Sequence, residues 1–182
     1  MVGRLIEQGV DRYDVASSDD PIDPGNVWDA IEPATAISTR LLRGHDGWAE
    51  GLGTGADSPW QSSALADLLL QLALDATVAW EPDFLVHGEG FTRGATGAEL
   101  NAKVRSYGRG YGRVLSTWHY PVRRRVGCVV KPLLQRGYRV GPDVLPLPAR
   151  VAAAVGRAEG ILGHLLPGAS RSPRRPSDLA SH

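Results

Sequence analysis

Cysteine is almost absent from this sequence, since Cys128 is the single one among 182 residues. A single cysteine excludes an internal disulfide, which is typical of proteins in a reducing compartment. Valines stand near it at positions 126, 129 and 130, so we expect this thiol to be packed in the core and not reactive. The cysteine content therefore favours a cytoplasmic protein.

Long apolar runs are missing as well. No stretch approaches the roughly 18 consecutive apolar residues of a membrane-spanning helix. The first residues, MVGRLIEQGVD, lack the uninterrupted apolar core of a signal peptide. We therefore expect a protein that is soluble, or bound peripherally at the inner face of the plasma membrane.

Acidic residues are scarce in the second half of the chain. Residues 1–100 contain 5 Lys and Arg against 17 Asp and Glu, whereas residues 101–182 contain 15 against 3. This asymmetry predicts an anionic partner for the basic half, and the alternative is one solvated domain with two differently charged faces. Because the arginine clusters show no helix-turn-helix or zinc-ligand spacing, we expect a membrane surface and no nucleic acid.

The composition predicts one domain followed by a tail. Hydrophobic residues make up 42% of the chain, which is enough for a medium-sized core. The last residues, PGASRSPRRPSDLASH, have no apolar periodicity and are predicted to be disordered. We therefore divide the sequence into residues 1–99, a basic helical extension at 100–166 and a disordered tail at 167–182.

Hydrophobic spacing and turn residues predict alternating strands and helices in the first half and mostly helices in the second. The predicted strands are 2–10, 35–37, 77–80 and 84–87, and long loops are expected at 11–26, 51–58 and 88–97. The predicted helices run from near Ser38 to Gly44, from Ser62 or Ser63 to about Asp75, over 100–118, onward from Pro121, and over 147–166 with a stripe of alanines. In the helix at 100–118, Arg105, Arg109 and Arg113 lie opposite the apolar stripe.

Three segments of the sequence, taken together and in their order along the chain, are informative about the family. They are TRLLRGHDGWAEGLGTGADSPWQSSALADLLLQLA, VAWEPDFLVHGEG and KVRSYGRGYGRVLSTWHYP. Together they resemble the second half of a GT-A type, family 2 glycosyltransferase, over roughly residues 35–135. The resemblance implies an α/β fold, namely a partial GT-A (nucleotide-diphospho-sugar transferase-like) mixed sheet with a helical, basic C-terminal half.

The resemblance also implies a chemistry. Enzymes of this family move a sugar from a nucleotide-sugar donor to an acceptor, here of the cell-envelope or lipid-linked type, with a divalent metal such as Mn²⁺ or Mg²⁺. In these enzymes the nucleotide site and the Asp-X-Asp motif lie on an N-terminal half. Val2-Gly3-Arg4 resembles the strand that follows that motif, so we expect this sequence to lack that half. Asp19, Asp20 and Asp23 come after this strand and do not match the motif. We therefore expect weak activity, or none, from the chain alone.

The catalytic position departs from the family pattern. Ser63, Ala64 and Leu65 stand where Gly-Glu-Asp is expected, so the carboxylate that would accept the acceptor's proton is missing. Asp67 is the acidic residue that remains nearby and is the candidate base. The alternative is that Asp67 is an ordinary acid in the first turn of a helix, where the helix dipole favours it.

The resemblance implies further site residues. His87 matches a metal or pyrophosphate contact, with a purely structural histidine as the alternative. Gly53 and Gly55 belong to the glycine loop, and Trp60 matches an aromatic residue of the acceptor site or packs under that loop. Arg109, with Arg113, is expected to meet phosphate or to form a solvated basic face.

A second function class stays open. The chain can instead be a noncatalytic interaction module that docks on a partner protein or on an anionic membrane, with Tyr107, Tyr111, Trp118 and Tyr120 at the interface. An incomplete sheet exposes an unpaired edge. We therefore expect association with a second copy or with the missing N-terminal half.

Overall fold

The computed structural model describes residues 1–7, 9–11, 21–45, 47–88, 95–140 and 143–167. Residues 168–182 of the predicted disordered tail and most of the predicted loops at 11–26 and 88–97, including Asp19 and Asp20, lie outside these residues. Strands and helices both occur, which confirms the α/β class.

The chain forms two units. The first comprises Met1–Ala49, Ser63–Gly94 and Gly137–Leu145, and the second Glu50–Ser62, Ala95–Arg136 and Pro146–His182.

The first unit is built on a small mixed sheet. Its strands are β1 (Val2–Glu7), β2 (Val10–Asp11) and β3 (Trp80–Gly88), in the order β2-β1-β3. β2 runs antiparallel to β1, and β3 runs parallel to it, with Ile6 opposite His87. The strand predicted at 84–87 is present and begins earlier, at Trp80, whereas residues 77–79 of the other predicted strand are not in a strand. Pro82 is tolerated within β3 because, in the described sheet, β3 is an edge strand.

Two helices complete this unit, α1 (Thr39–Arg43) and α2 (Ala64–Asp75). Both lie where the sequence predicted them, and Ser38 and Gly44 flank α1. The strand predicted at 35–37 is reduced to a single bridge between Thr35 and Val2. A two-stranded ribbon of β4 (Arg139–Val140) and β5 (Asp143–Val144) also belongs to this unit. Its buried apolar residues include Val2, Leu5, Val27, Ala34, Leu65, Leu68, Leu69 and Leu72.

The second unit is helical and contains α3 (Gly97–Thr117), α4 (Val122–Leu134) and α5 (Leu147–Leu162). α4 begins directly after Pro121, as predicted. α5 ends four residues before the predicted position, because Gly163 adopts a left-handed conformation with φ of 75°. No helix in the described part of the chain combines the length and the hydropathy needed to cross a bilayer.

α3 and α5 approach each other backbone to backbone. The contact is made by two glycine pairs with the same spacing, Gly108 and Gly112 on α3 and Gly156 and Gly160 on α5. A Cβ atom at Gly108 would lie 2.8 Å from the Ala153 carbonyl oxygen, and at the other three it would overlap a carbonyl oxygen of the facing helix. The predicted alanine stripe of α5 is buried, as Ala149, Ala153 and Ala154 are all in the core.

α5 also completes the backbone hydrogen bonding of α4. Pro132 lies inside α4 and has no N–H to donate to the carbonyl of Cys128, four residues earlier. Arg157 fills this gap, because its Nη1 donates to the Cys128 carbonyl at 2.6 Å. Arg150 does the same at the helix end, where it donates to the carbonyls of Pro132 and Leu133.

Cys128 lies on the buried side of α4. Its Sγ donates to the Arg125 carbonyl at 3.0 Å, and the residue is in the core. Burial raises the pKa of this thiol to about 11, against a smaller opposing effect of Arg157 and Arg124. The thiol is therefore protonated at neutral pH, which confirms the expectation of a packed cysteine.

Candidate functional site

The glycine-rich segment at residues 51–62, which we call the Trp60 loop, is ordered by its own hydrogen bonds. The Gly53 N–H donates to the Trp60 carbonyl at 2.9 Å, and the Gly55 N–H donates to Gln61 Oε1 at 3.0 Å. Gln61 is 6% exposed, and its amide nitrogen donates to the Ala56 carbonyl at 2.8 Å. Gly53 and Gly55 have φ of 107° and 89°, which other residues adopt with strain. The glycines thus let the loop fold around Gln61.

The Trp60 loop is docked on α3. Ser62 Oγ donates to the Tyr107 carbonyl at 2.6 Å, and the Thr54 and Tyr107 hydroxyls lie 3.5 Å apart. A Cβ at Gly110 would overlap the backbone of Ser62. The YGRGYG segment therefore makes two contacts. Gly110 leaves room for the Trp60 loop, whereas Gly108 and Gly112 leave room for α5.

The side chains of Trp60, from the loop, and Arg113, from α3, lie next to each other. The Trp60 ring is half-buried, and the Arg113 guanidinium carbon lies 5.6 Å from its centroid. Arg113 itself is exposed. An aromatic face suits the apolar face of a sugar or base, and a guanidinium suits a phosphate, which it can bind through two hydrogen bonds. The hydroxyls of Thr54 and Tyr107 belong to the same loop and helix.

Arg109 lies in the interior of the second unit. Its Nε donates to Glu159 Oε2 at 2.7 Å, and it is 3% exposed. Arg105 donates to both oxygens of the same carboxylate, at 2.6 and 3.1 Å, and the Leu166 N–H adds a fourth hydrogen bond at 2.9 Å. The expectation of a solvated basic face is wrong for Arg109, because α5 covers that face with Glu159. Arg113 is the arginine that α3 presents beside Trp60.

Glu159 is fully buried and ionised. Its burial by itself would raise the pKa of this carboxyl, but hydrogen bonds from Arg105, Arg109 and the Leu166 N–H, together with the charge of Arg109, outweigh it and hold the pKa at about 2. The carboxylate and the two guanidiniums thus form a buried charge cluster. The sequence analysis did not single out Glu159. The feature of the sequence that could have indicated it is that Glu159 is the sole acidic residue of α5.

Asp67 lies in the first turn of α2, in the first unit. It is 8% exposed, and Gln71 Nε2 donates to its Oδ2 at 2.8 Å. Ser63 precedes the helix with φ of 66°, a left-handed conformation that a non-glycine residue adopts with strain. Ser63 does not cap α2 with its side chain. A serine at the start of a helix often caps it with its hydroxyl, but the left-handed backbone of Ser63 departs from the extended conformation of a serine cap, and the Ser62 hydroxyl donates to the Tyr107 carbonyl instead.

His87 is exposed at the carboxyl end of β3. The carboxyl ends of parallel strands meet at one edge of a sheet, and here that edge is formed by β1 and β3. Among the residues that the structure describes, no three His, Cys, Asp or Glu side chains cluster closely enough to hold a metal ion. The metal-binding role of His87 stays a prediction.

The predicted site residues fall into two sets. Gly53, Gly55, Trp60 and Arg109 belong to the second unit, whereas Asp67 and His87 belong to the first. Within the second unit, the glycines and Trp60 form one loop, and Arg109 is directed to α5. No family model, curated protein or solved structure matches this chain.

Proposed function

We propose that this chain corresponds to the second half of a GT-A type, family 2 glycosyltransferase domain, and that its Trp60 loop binds a nucleotide-sugar or sugar ligand. The observation that carries this proposal is the pairing of Trp60 with Arg113 on an ordered glycine loop. The loop lies where the resemblance places an acceptor-site aromatic residue. The acceptor class that follows is a cell-envelope or lipid-linked sugar.

The order of the Trp60 loop supports a binding role. Because backbone and Gln61 hydrogen bonds hold the loop, the loop backbone loses little freedom when a ligand binds beside the Trp60 ring. The ring offers a stacking face, and the guanidinium offers charge-assisted hydrogen bonds to a diphosphate. These two groups match the two chemical parts of a nucleotide-sugar.

The backbone at Ser63 also supports the proposal. This serine stands where the family motif has glycine, and its φ of 66° lies in the region that glycine adopts without strain. A left-handed residue before α2 is therefore compatible with the backbone turn that the motif's glycine implies. The serine retains that conformation although its side chain is unfavourable there.

The proposed chemistry needs a base and, by resemblance, a divalent metal. Asp67 is the carboxylate that would take the proton from the acceptor hydroxyl as the nucleotide diphosphate leaves. The residues that the structure describes do not supply three clustered metal ligands, so the fit to Mn²⁺ or Mg²⁺ is poor and we route no step through a metal. Within these residues the chain is equipped to bind and orient a ligand.

The first test is calorimetric titration of the chain with UDP and with GDP, each with Mn²⁺. We expect binding, and we expect Trp60→Ala to weaken it roughly 10-fold through the loss of stacking. Trp60 takes part in the loop's hydrogen bonds through its backbone, so the loop should persist in this variant. Arg113→Gln should weaken binding by a similar factor, because the phosphate loses a charged donor.

The matched control is Trp48→Ala, which removes an exposed tryptophan of the first unit. It should leave nucleotide affinity unchanged. Equal loss of affinity in Trp48→Ala and Trp60→Ala would contradict the assignment of the site, and absence of binding in the parent chain would contradict the proposal.

The second candidate function is a noncatalytic docking module, and the surroundings of Asp67 favour it. This carboxylate is nearly buried and accepts a hydrogen bond from Gln71, as an ordinary helix residue does. Asp67→Asn preserves the shape and an acceptor oxygen for Gln71. If the chain is an enzyme, this variant should abolish sugar transfer or donor hydrolysis while the fold is retained. Equal turnover in both proteins would exclude Asp67 as the base, and no turnover in either would favour the module.

A further inference from the structure

The outward side of α4 carries an apolar stripe that no described part of the chain covers. Val122 is 64% exposed, Val126 is 55% exposed and Leu134 is 78% exposed. Val130 and Leu133 are exposed as well, and the spacings of four and three residues place these side chains on one side of the helix. Several exposed apolar side chains that adjoin one another on a helix surface indicate an interaction site.

The opposite side of α4 is fixed to α5. Cys128 and Pro132 are buried there, and Arg150 and Arg157 of α5 donate hydrogen bonds to carbonyls of α4. The apolar stripe therefore cannot turn inward by rotation of the helix. It is presented outward by a rigid helix pair within the second unit.

Positively charged side chains lie beside the apolar stripe. Arg123 and Lys131 are exposed beside it, and Arg136 follows directly after the helix. α4 itself contains three arginines and one lysine and no acidic residue, so the helix carries a net positive charge. Aliphatic side chains flanked by cations are typical of helices that lie in the plane of a membrane interface.

The aromatic residues expected at such an interface are placed differently. Tyr120 is buried, and the Arg124 guanidinium lies 4.8 Å from its ring centroid. Tyr111 is half-buried, with Arg157 at 4.9 Å from its centroid. Both rings pack against arginines of the second unit. An interface with a bilayer would therefore use the aliphatic stripe of α4 and not these tyrosines.

We propose that α4 docks the second unit on an anionic lipid bilayer, with Val122, Val126 and Val130 inserted among the headgroups. Arg123 and Lys131 then lie at the level of the lipid phosphates. A nucleic acid would match the charge but would leave the valines exposed, and a membrane interface satisfies both. This docking does not depend on sugar transfer, so its failure and the failure of nucleotide binding are separate results.

The test is flotation of the full chain with phosphatidylcholine vesicles that contain or lack phosphatidylglycerol. We expect the protein to bind the anionic vesicles and to be released by added salt. Val126→Ser should weaken partitioning roughly 10-fold, because an inserted apolar side chain is lost. Arg123→Gln should weaken it roughly 5-fold, and adding Lys131→Gln should multiply the loss by a similar factor.

Matched controls come from the first unit, with Leu74→Ser for the apolar change and Arg40→Gln for the charge change. Both residues are exposed, and both variants should bind vesicles as the parent does. Equal binding to neutral vesicles, or an unchanged Val126→Ser variant, would overturn the proposal. Binding to an oligonucleotide but not to anionic vesicles would overturn it in favour of a nucleic-acid surface.

Discussion

Gly160→Ala is expected to lower the free energy of unfolding by about 3 kcal/mol, although alanine is the better helix former. The added Cβ would overlap the Arg109 carbonyl oxygen and crowd the Arg113 amide of α3. Both contacts are with helix backbone, which cannot rotate away as a flexible side chain can. The helices must separate, and the contact between α3 and α5 loses its packing. Urea unfolding followed by helical circular dichroism measures the effect.

Gly127→Ala on α4 is the matched control. Nothing lies within 4 Å of a Cβ built at Gly127. There the helix propensity of alanine acts alone and should stabilise the protein by up to about 1 kcal/mol. The two substitutions thus have the same chemistry and opposite expected signs. A Gly160→Ala protein as stable as the parent would mean that the helices do not touch as described.

Glu159→Gln preserves the side-chain shape but should lower the free energy of unfolding by about 3–5 kcal/mol. The variant leaves Arg105 and Arg109 positively charged in the interior of the second unit, without the carboxylate that both contact. Arg109 is buried and Arg105 is partly exposed, and losing the carboxylate that they share costs more than the neutral amide recovers through hydrogen bonds. Denaturant unfolding of parent and variant at neutral pH gives the difference.

The same carboxylate predicts a pH dependence. Its pKa is lowered from 4.5 to about 2 in the folded protein. Its stabilising contribution is therefore complete above pH 4.5 and is lost as the pH falls toward 2. Glu159→Gln should remove this part of the acid sensitivity. The control Glu50→Gln changes an exposed residue and should shift stability by less than about 0.5 kcal/mol. Identical acid profiles for parent and Glu159→Gln would refute the buried cluster.

Local signals in the sequence predicted most helices and strands. The apolar run after Ser63, the proline before α4 and the alanines of α5 each act within a few residues, and the structure has α2, α4 and α5 at those places. The end of α5 was missed because a left-handed glycine at 163 competes with an apolar pattern that continues to Leu166. The strand predicted at 84–87 begins earlier than expected, at Trp80, because an edge strand tolerates Pro82.

Contacts between distant residues could not be predicted in the same way. Arg109 has the sequence context of a surface cation, and only the arrival of Glu159 from 50 residues further along makes it an interior residue. The sequence predicts a helix over the YGRGYG segment, but nothing local to the segment indicates that its glycines leave room for α5 and Ser62. The Trp60 loop was predicted as irregular, but nothing in its sequence indicated that Gln61 would hold it together.

The bond from Arg157 to the Cys128 carbonyl bears on the order in which the second unit assembles. α4 precedes α5 in the chain. Within α4, Pro132 has no N–H, so the helix itself supplies no donor for the carbonyl four residues earlier. A short helix with such a gap is marginal in water. The Cys128 carbonyl therefore gains its hydrogen bond from the protein only once α5 has packed against α4, so we expect the two helices to become stable together and not one after the other.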